Sequence, residues 1–321
     1  IIFSVKNYDF KGNHKRFFNN TIEKAVKQIS GAYKTLFKNE KVIITHPYKK
    51  EVVFPKDDIN KVFRVVINLG EGTQFYNLER TTNNSDFINI LDKETFITIL
   101  DELNTIPDLI DYLEKRELFF KGKDVRVLTS PDDEFNVIGL HDCSELFKSN
   151  SEKDFIMISG TEKDLLSYFL KNTRNFPDVL TNKQYSGGII LIDNEWKNYK
   201  SKEGVRKKAE EDRISYFIDN FVKDVILKSN HIYKEDIAKE LLSLNRLDRR
   251  FISKLFFDFY EQIKNHENVE FDRRYIDLGD LGIVFTSYTS KFSFDMINKV
   301  NLIAMETFNF YNNYKNKKLL N

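Results

Sequence analysis

The chain has 321 residues, of which 41% are hydrophobic and 14% are aromatic, and its net charge is +1. Such a composition can fill one or two hydrophobic cores, which excludes an intrinsically disordered chain. The sequence contains no apolar run of about eighteen residues and no signal peptide, so it favours a cytoplasmic protein over a membrane-spanning or secreted one. Its one cysteine, Cys143, excludes an internal disulfide framework and a cysteine-based zinc site.

The charge is distributed unevenly along the chain. Residues 1–50 contain eleven Lys or Arg and three Asp or Glu, a net charge of +8. The remaining residues contain 39 basic and 46 acidic side chains, a net charge of −7. A basic segment on an acidic protein is typical of a protein that binds a polyanion, because phosphate contacts release counterions. The same lysines would also serve simply to solvate helix faces, so charge alone does not decide between the two interpretations.

The first seventy residues predict an α/β core. Residues 1–6 form a short apolar run that is typical of a buried strand. A helix is predicted for residues 21–37, because Asn20 and Glu23 form a capping-box pattern and the apolar residues that follow share one face. Three further strands, rich in Val and Ile, are predicted at residues 41–46, 51–54 and 61–69.

The rest of the chain first mixes helices with strands and then becomes mostly helical. A helical stretch at residues 95–120 is expected to break near Pro107. Thr161 and Asp164 form a capping pattern for a helix at residues 162–172. The other predicted helices are at residues 204–229, 234–244, 248–266 and 294–314. The other predicted strands are at residues 125–128, 135–140, 155–159, 187–193 and 282–287.

The order of features in the N-terminal segment resembles the core of the PD-(D/E)XK nuclease superfamily. A strand that ends in Lys6 is followed by a basic link, by a helix that carries Gln28 and Tyr33, and by successive strands. In the superfamily such a strand ends in an acid, any residue and a lysine, and the next helix often adds a Gln and a Tyr. The resemblance implies that Lys6 and Gln28 are catalytic and that Ser4 takes the position of the acid. It further implies a site wall formed by Ser4, Tyr33 and Asn7.

The resemblance also implies a fold, a cofactor and a partner. The fold is of the α/β (α+β) class. Residues 1–150 are then a restriction-endonuclease-like mixed sheet flanked by helices and incomplete at its N-terminus. For residues 151–321 it is the pattern of predicted elements that indicates a mainly helical region with a few strands, of unknown role. The cofactor is Mg²⁺ or Mn²⁺, held by an acid expected upstream of Ile1, with Asp9 as the candidate ligand within the chain. The partner is nucleic acid, and the basic residues expected to bind it are Lys11, Lys15, Arg16, Lys24 and Lys27.

The whole chain is also similar to a group of bacterial nuclease-like proteins, which by analogy indicates a role in defence against foreign DNA. The segments that carry this similarity are Phe3-Ser4-Val5-Lys6, Leu103-Asn104-Thr105-Ile106, Asp111-Tyr112-Leu113 and Arg246-Leu247-Asp248-Arg249-Arg250. The last of these segments holds three arginines, which either bind phosphate together or pair with surrounding acids.

Other interpretations of the same residues remain open. Because Ser4 lacks the negative charge that divalent cations favour, the alternative function is a degenerate nuclease fold that binds nucleic acid or protein without cleaving. Lys6 is otherwise a strand-end lysine that extends its amine into solvent. Gln28 lies at the margin of the apolar helix face and can reach a site at the sheet edge, whereas Tyr33 lies near the middle of that face, where a core residue is expected.

Overall fold

A computed structural model describes residues 1–46, 50–71, 79–81, 86–128, 154–176, 187–264, 270–312 and 318–320. The protein belongs to the mixed α/β class, as the sequence predicted. It divides into two compact units, which are Ile1–Asn104 with Leu109–Lys202, and Thr105–Asp108 with Glu203–Asn321. The boundary predicted between residues 150 and 151 lies outside the described residues.

The first unit contains nine described strands and most of six helices. Its strands are β1 (Ile2–Lys6), β2 (Ile43–His46), β3 (Lys50–Val53), β4 (Arg64–Asn68), β5 (Glu79–Thr81), β6 (Phe87–Asp92), β7 (Lys123–Leu128), β8 (Asp154–Ser159) and β9 (Gly187–Leu191). Its helices are α1 (His14–Phe18), α2 (Lys24–Lys38), α3 (Lys93–Glu102), α4 (Ile106–Phe120), α5 (Glu162–Lys171) and α6 (Glu195–Ser201). The first turn of α4 is counted with the second unit.

A four-stranded mixed sheet with the order β1-β4-β6-β5 positions the candidate site. Strands β1, β4 and β6 are parallel to one another, and β5 is antiparallel to β6. The register pairs Lys6 with Asn68, and Asn68 with Asp92, so these three residues form a row at the carboxyl ends of the parallel strands. Strands β2 and β3 form a separate hairpin, and β7, β8 and β9 form a parallel sheet.

Both faces of the four-stranded sheet are covered. On one face Val66 and Ile90 pack against Ile22, Ala25 and Ile29, which lie on α2 and the helical turn before it. The other face belongs to a larger cluster that α3, α4 and α5 complete; its most buried members are Leu91, Ile99, Leu113, Phe120, Leu165 and Phe169. Burial on both faces explains why β4 and β6 are almost continuously apolar instead of alternating with polar residues.

The second unit is mainly helical. Its helices are α7 (Glu203–Asp212), α8 (Tyr216–Phe221), α9 (Lys234–Leu242), α10 (Arg246–Lys264) and α11 (Phe294–Tyr311). Its strands are β10 (Phe271–Asp277), β11 (Leu281–Tyr288) and β12 (Lys318–Leu320), in the order β10-β11-β12. The core joins Ile218, Val222, Ile252 and Ile283, so helices and sheet share one apolar cluster. The second unit, which forms the later part of the region 151–321, therefore has the mainly helical character with a few strands that was predicted for that region.

The N-terminal helix begins earlier than predicted. Its N-cap is Asn13, whose Oδ1 accepts a hydrogen bond from the Arg16 amide at 2.9 Å. Asn20 and Glu23 therefore do not start a helix, and they lie in a π-helical turn, Asn19–Glu23, that joins α1 to α2. The buried side chain of Thr21 donates to the Phe17 carbonyl at 2.7 Å within this continuous helix.

Most other predicted elements are confirmed within a few residues. Thr161 and Asp164 form the predicted capping box at the start of α5. The helical stretch breaks before Pro107, which lies in the first turn of α4, where its missing amide hydrogen costs nothing. The strand predicted at residues 135–140 lies outside the described residues. The strands that the sequence did not predict are β5, β6, β10 and β12.

Candidate functional site

The structure brings Lys6, Ser4 and Gln28 together. Ser4 and Lys6 are two residues apart on β1, so their side chains lie on the same face of the strand, where α2 packs. The Ser4 hydroxyl donates to Gln28 Oε1 at 3.0 Å, and Lys6 Nζ donates to the same oxygen. Ser4 is buried, whereas Gln28 is exposed, so the group opens to solvent at the amine and the amide.

This group lies at an edge of the sheet where ligands are commonly bound. In open α/β sheets, ligands bind outside the carboxyl ends of the parallel strands. Lys6 ends β1 there, beside Asn68 of β4 and Asp92 of β6 in the register row. Asp92 is the N-cap of α3, and its Oδ1 accepts a hydrogen bond from the Thr95 amide at 2.7 Å.

Asn68 organises the segment that follows β1, and sequence reasoning missed it. Its buried side chain accepts hydrogen bonds from the amides of Tyr8 and Gly70, both at 3.4 Å, and donates to the Tyr8 carbonyl at 3.4 Å. The Phe10 amide also donates to the Glu71 carbonyl at 2.9 Å. The sequence does contain a signal for Asn68, since it is a lone polar residue that ends an apolar strand two positions before a glycine.

A surface cleft of about 460 Å³ opens next to this segment. The cleft is lined by three residues that were predicted as part of the site, Asn7, Lys11 and Arg16. Asp9 and Asn13 also line it. The Asp9 Oδ1 accepts a hydrogen bond from the Glu71 amide at 3.0 Å, so this carboxylate fastens the loop to the residues after β4.

The remaining predicted cations lie along the same helical segment. Lys24 and Lys27 line a second, more open depression of about 540 Å³ beside Glu23, and Lys15 is exposed on α1. Among the residues that the structure describes, no carboxylate forms an ion pair with any member of the basic group, which consists of Lys11, Lys15, Arg16, Lys24 and Lys27. Other lysines of the unit are paired, such as Lys163 with Glu94 at 2.9 Å.

Tyr33 does not lie at the site. Its ring stacks on Phe37 with the centroids 4.8 Å apart, and the Arg64 guanidinium lies 4.5 Å from the ring centroid. Arg64 begins β4, at the opposite end of the sheet from Lys6. The structure therefore does not bring Tyr33, predicted as a site wall, to Lys6, because α2 carries the residues after Gln28 away from the carboxyl edge.

The donor set around Lys6 does not fit Mg²⁺ or Mn²⁺. The described side chains that meet there are a serine hydroxyl and a primary amide, both neutral, whereas hard divalent cations favour carboxylates. Nowhere in the described ranges do three His, Cys, Asp or Glu side chains come together in a group that could hold a metal ion. The expected metal therefore stays a prediction from the resemblance.

The three arginines of the second unit pair with acids. Arg246 Nη1 lies 2.7 Å from Asp219 Oδ2, and Arg249 pairs with the other oxygen of the same carboxylate. Arg250 lies 3.3 Å from Asp212. Of the two interpretations that the sequence left open, pairing with acids accounts for these side chains, although the partners lie on other helices.

A buried polar network in the first unit was also missed. Arg116 forms a bidentate pair with Glu162 at 2.7 and 3.0 Å and donates to the Asn89 side chain at 2.7 Å. The Tyr112 hydroxyl donates to the same carboxylate at 2.7 Å. Burial, and secondly the Glu162 charge, raise the pKa of Tyr112 well above its ordinary value, so the phenol remains a hydrogen-bond donor. These groups satisfy one another inside the core and do not open to the cleft.

Comparison of the chain with protein-family models, with curated proteins and with solved structures yields no match. Because no match was found, the assignment of a function rests on the residues of the site.

In the described ranges, no helix has both the length and the apolar character that crossing a membrane requires.

Proposed function

We propose that the first unit binds nucleic acid through its phosphate backbone, at the edge where Lys6 meets Gln28. The observation that carries this proposal is the position of the Lys6 amine, which ends a parallel strand and has a neutral amide as its partner. A lysine paired with a carboxylate would have its charge compensated. The Lys6 charge instead remains available to an anion.

The unpaired basic group supports a partner with many negative charges. Lys11 and Arg16 line the cleft that follows β1, and Lys24 and Lys27 lie four residues and one residue, respectively, before Gln28 in the helical segment. Exposed cations along a surface bind the regularly spaced phosphates of a nucleic acid and release counterions. Such contacts fix the position of a nucleic acid without reading its bases, so we propose binding that does not depend on sequence.

The second candidate is a metal-dependent nuclease of the PD-(D/E)XK type. The specific observation that favours it is the proximity of Lys6 to Gln28 on successive elements of a parallel strand, helix and strand arrangement. This candidate needs carboxylates in contact with Lys6, whereas the side chains that meet Lys6 are those of Ser4 and Gln28, which are neutral, and Asp92 lies two strands away and caps α3. Binding without cleavage is therefore the function that the geometry supports best.

Fluorescence anisotropy with a labelled oligonucleotide tests the proposal. We expect the wild-type chain to bind, and Lys6→Ala to weaken binding by about tenfold, which corresponds to about 1.4 kcal/mol for one charge-assisted phosphate contact. A matched control is Lys121→Ala, because Lys121 is an exposed lysine of the same unit whose amine lies 3.5 Å from Glu117. Its affinity should equal that of the wild type.

The same samples distinguish the two candidates when Mn²⁺ is added and the oligonucleotide is analysed on a denaturing gel. If the wild-type chain binds the oligonucleotide and leaves it intact in the presence of Mn²⁺, the proposed function is supported. Cleavage that Lys6→Ala abolishes would establish the nuclease instead. Equal affinity of the wild type, Lys6→Ala and Lys121→Ala would overturn both assignments of the site.

A further inference from the structure

Helix α11 carries an exposed apolar stripe in the second unit. Ala304 and Phe308 anchor the helix against Val284 of β11. On another side of the helix, Met296, Leu302 and Ile303 are 47%, 61% and 58% exposed. Met296 and Ile303 are seven residues apart, and Phe310 continues this spacing, so the three residues form one line along the helix. Exposed apolar side chains that line up along one side of a helix, with charged residues between them, are typical of a surface that binds another protein.

The charged residues of the stripe determine which partner fits. Lys299 and Glu306 lie on the same side of the helix as Ile303, since they are four residues before it and three after it. Both are exposed, and the one acid that pairs with Lys299 among the described residues is Asp295 of the same helix, at 2.7 Å in an exposed i,i+4 pair. Exposed pairs of this kind contribute little and exchange partners readily.

The stripe is complementary to itself when two copies of α11 lie antiparallel. Lys299 and Glu306 lie at equal distances, about 5 Å along the helix axis, from the point midway between Leu302 and Ile303. A twofold axis at that point places each Lys299 opposite the Glu306 of the second copy, and it places the two apolar pairs against each other. A parallel arrangement would instead oppose like charges. Twofold symmetry is the commonest symmetry of homodimers and requires such a self-complementary patch.

We propose that two copies of this chain associate through α11, antiparallel, with Leu302 and Ile303 at the centre and Lys299 pairing with Glu306 across the twofold axis. The proposal is independent of the nucleic-acid site, since all of its residues belong to the second unit.

Light scattering coupled to size exclusion, with the full chain at low to high micromolar concentration, tests the proposal. We expect a dimer for the wild type and a monomer for Ile303→Glu. Lys299→Glu should raise the dimer dissociation constant by about tenfold, because it replaces two attractions with two repulsions. The double variant Lys299→Glu with Glu306→Lys should restore the wild-type constant. Ile232→Glu is the matched control, because Ile232 is 83% exposed in the same unit but lies outside α11.

Circular dichroism melting of each variant verifies that it is folded. A wild-type chain that stays monomeric at every concentration overturns the proposal. So does a dimer that Ile303→Glu leaves intact, or a charge-reversed double variant that associates no better than Lys299→Glu alone.

Discussion

At the scale of single residues, the candidate site depends on one amide oxygen. Gln28 Oε1 accepts hydrogen bonds from both Ser4 and Lys6, which holds the amine at the strand end without neutralising it. The sequence predicted this proximity, since Lys6 ends an apolar strand and Gln28 lies at the margin of the helix face that covers it. The sequence marks Asn68 only as a lone polar residue at the end of an apolar strand, because its role in fastening two segments is recognisable only when the strand register is known.

Gln28→Glu tests whether this neutrality matters. The substitution keeps the shape of the side chain but gives Lys6 a carboxylate partner and places a negative charge beside the bound phosphate. We expect nucleic-acid affinity to fall by about tenfold at physiological salt, measured by anisotropy.

The control for this substitution is Asn39→Asp, which makes the same change of charge eleven residues further along the chain, just after α2 ends. That position is about 16 Å away along a helix, beyond the range of screened charges at physiological salt. Unchanged affinity of Gln28→Glu, or an equal loss in both variants, would contradict the assigned role of Gln28.

The buried pair of Arg116 and Glu162 leads to a prediction about stability. Arg116→Met leaves the Glu162 carboxylate buried and without its bidentate partner, which should lower the free energy of unfolding by about 3 to 5 kcal/mol. Urea unfolding measures this loss. In a double-mutant cycle, Arg116→Met with Glu162→Met should cost less than the sum of the two single variants. A loss below about 1 kcal/mol for Arg116→Met would show that the pair does not support the core.

At the scale of elements, the sequence predicted the helices and strands whose signal lies within one segment. It missed those whose residues are explained by contacts with a distant segment. The capping box of α5 and the strand β4 follow from neighbouring residues and are confirmed. Strand β6 was missed because Asn89 interrupts its apolar run, and the reason for that residue is its contact with Arg116 on a later helix. The predicted start of the first helix was wrong because Asn13 and Asn20 are both typical N-cap residues. Only the packing of the helix determines which of the two is the cap.

Gly70 follows β4 and lies against the backbone of Tyr8, which follows β1. Its substitution tests whether this close approach matters. A Cβ atom at this position would lie 2.2 Å from the Tyr8 carbonyl oxygen, so Gly70→Ala must push the two segments apart. We expect a loss of about 1 to 3 kcal/mol in urea unfolding. We also expect weaker nucleic-acid binding, because the segment after Lys6 shifts. Gly31→Ala is the control, since Gly31 has open space around it within α2, where alanine stabilises a helix. Equal stabilities of the two variants would contradict this account.

At the scale of the whole molecule, the charge asymmetry gains a structural explanation. The basic residues of the first fifty positions include the group that no described carboxylate neutralises, whereas the arginines of the second unit pair with acids. Composition predicted the asymmetry but could not distinguish paired from unpaired cations, because pairing depends on which helices meet. The exposed stripe on α11 was likewise hidden in the sequence, which predicted a helix at residues 294–314 but not which of its faces is covered.

The salt dependence of nucleic-acid binding tests the central claim most directly. The logarithm of the binding constant should fall linearly with the logarithm of the salt concentration, because the basic group releases counterions from several phosphates. Lys6→Ala should reduce the magnitude of this slope by about one, whereas Lys121→Ala should leave it unchanged. A slope that Lys6→Ala does not alter would show that the amine contacts no phosphate, and it would contradict the assignment of this edge as the binding site.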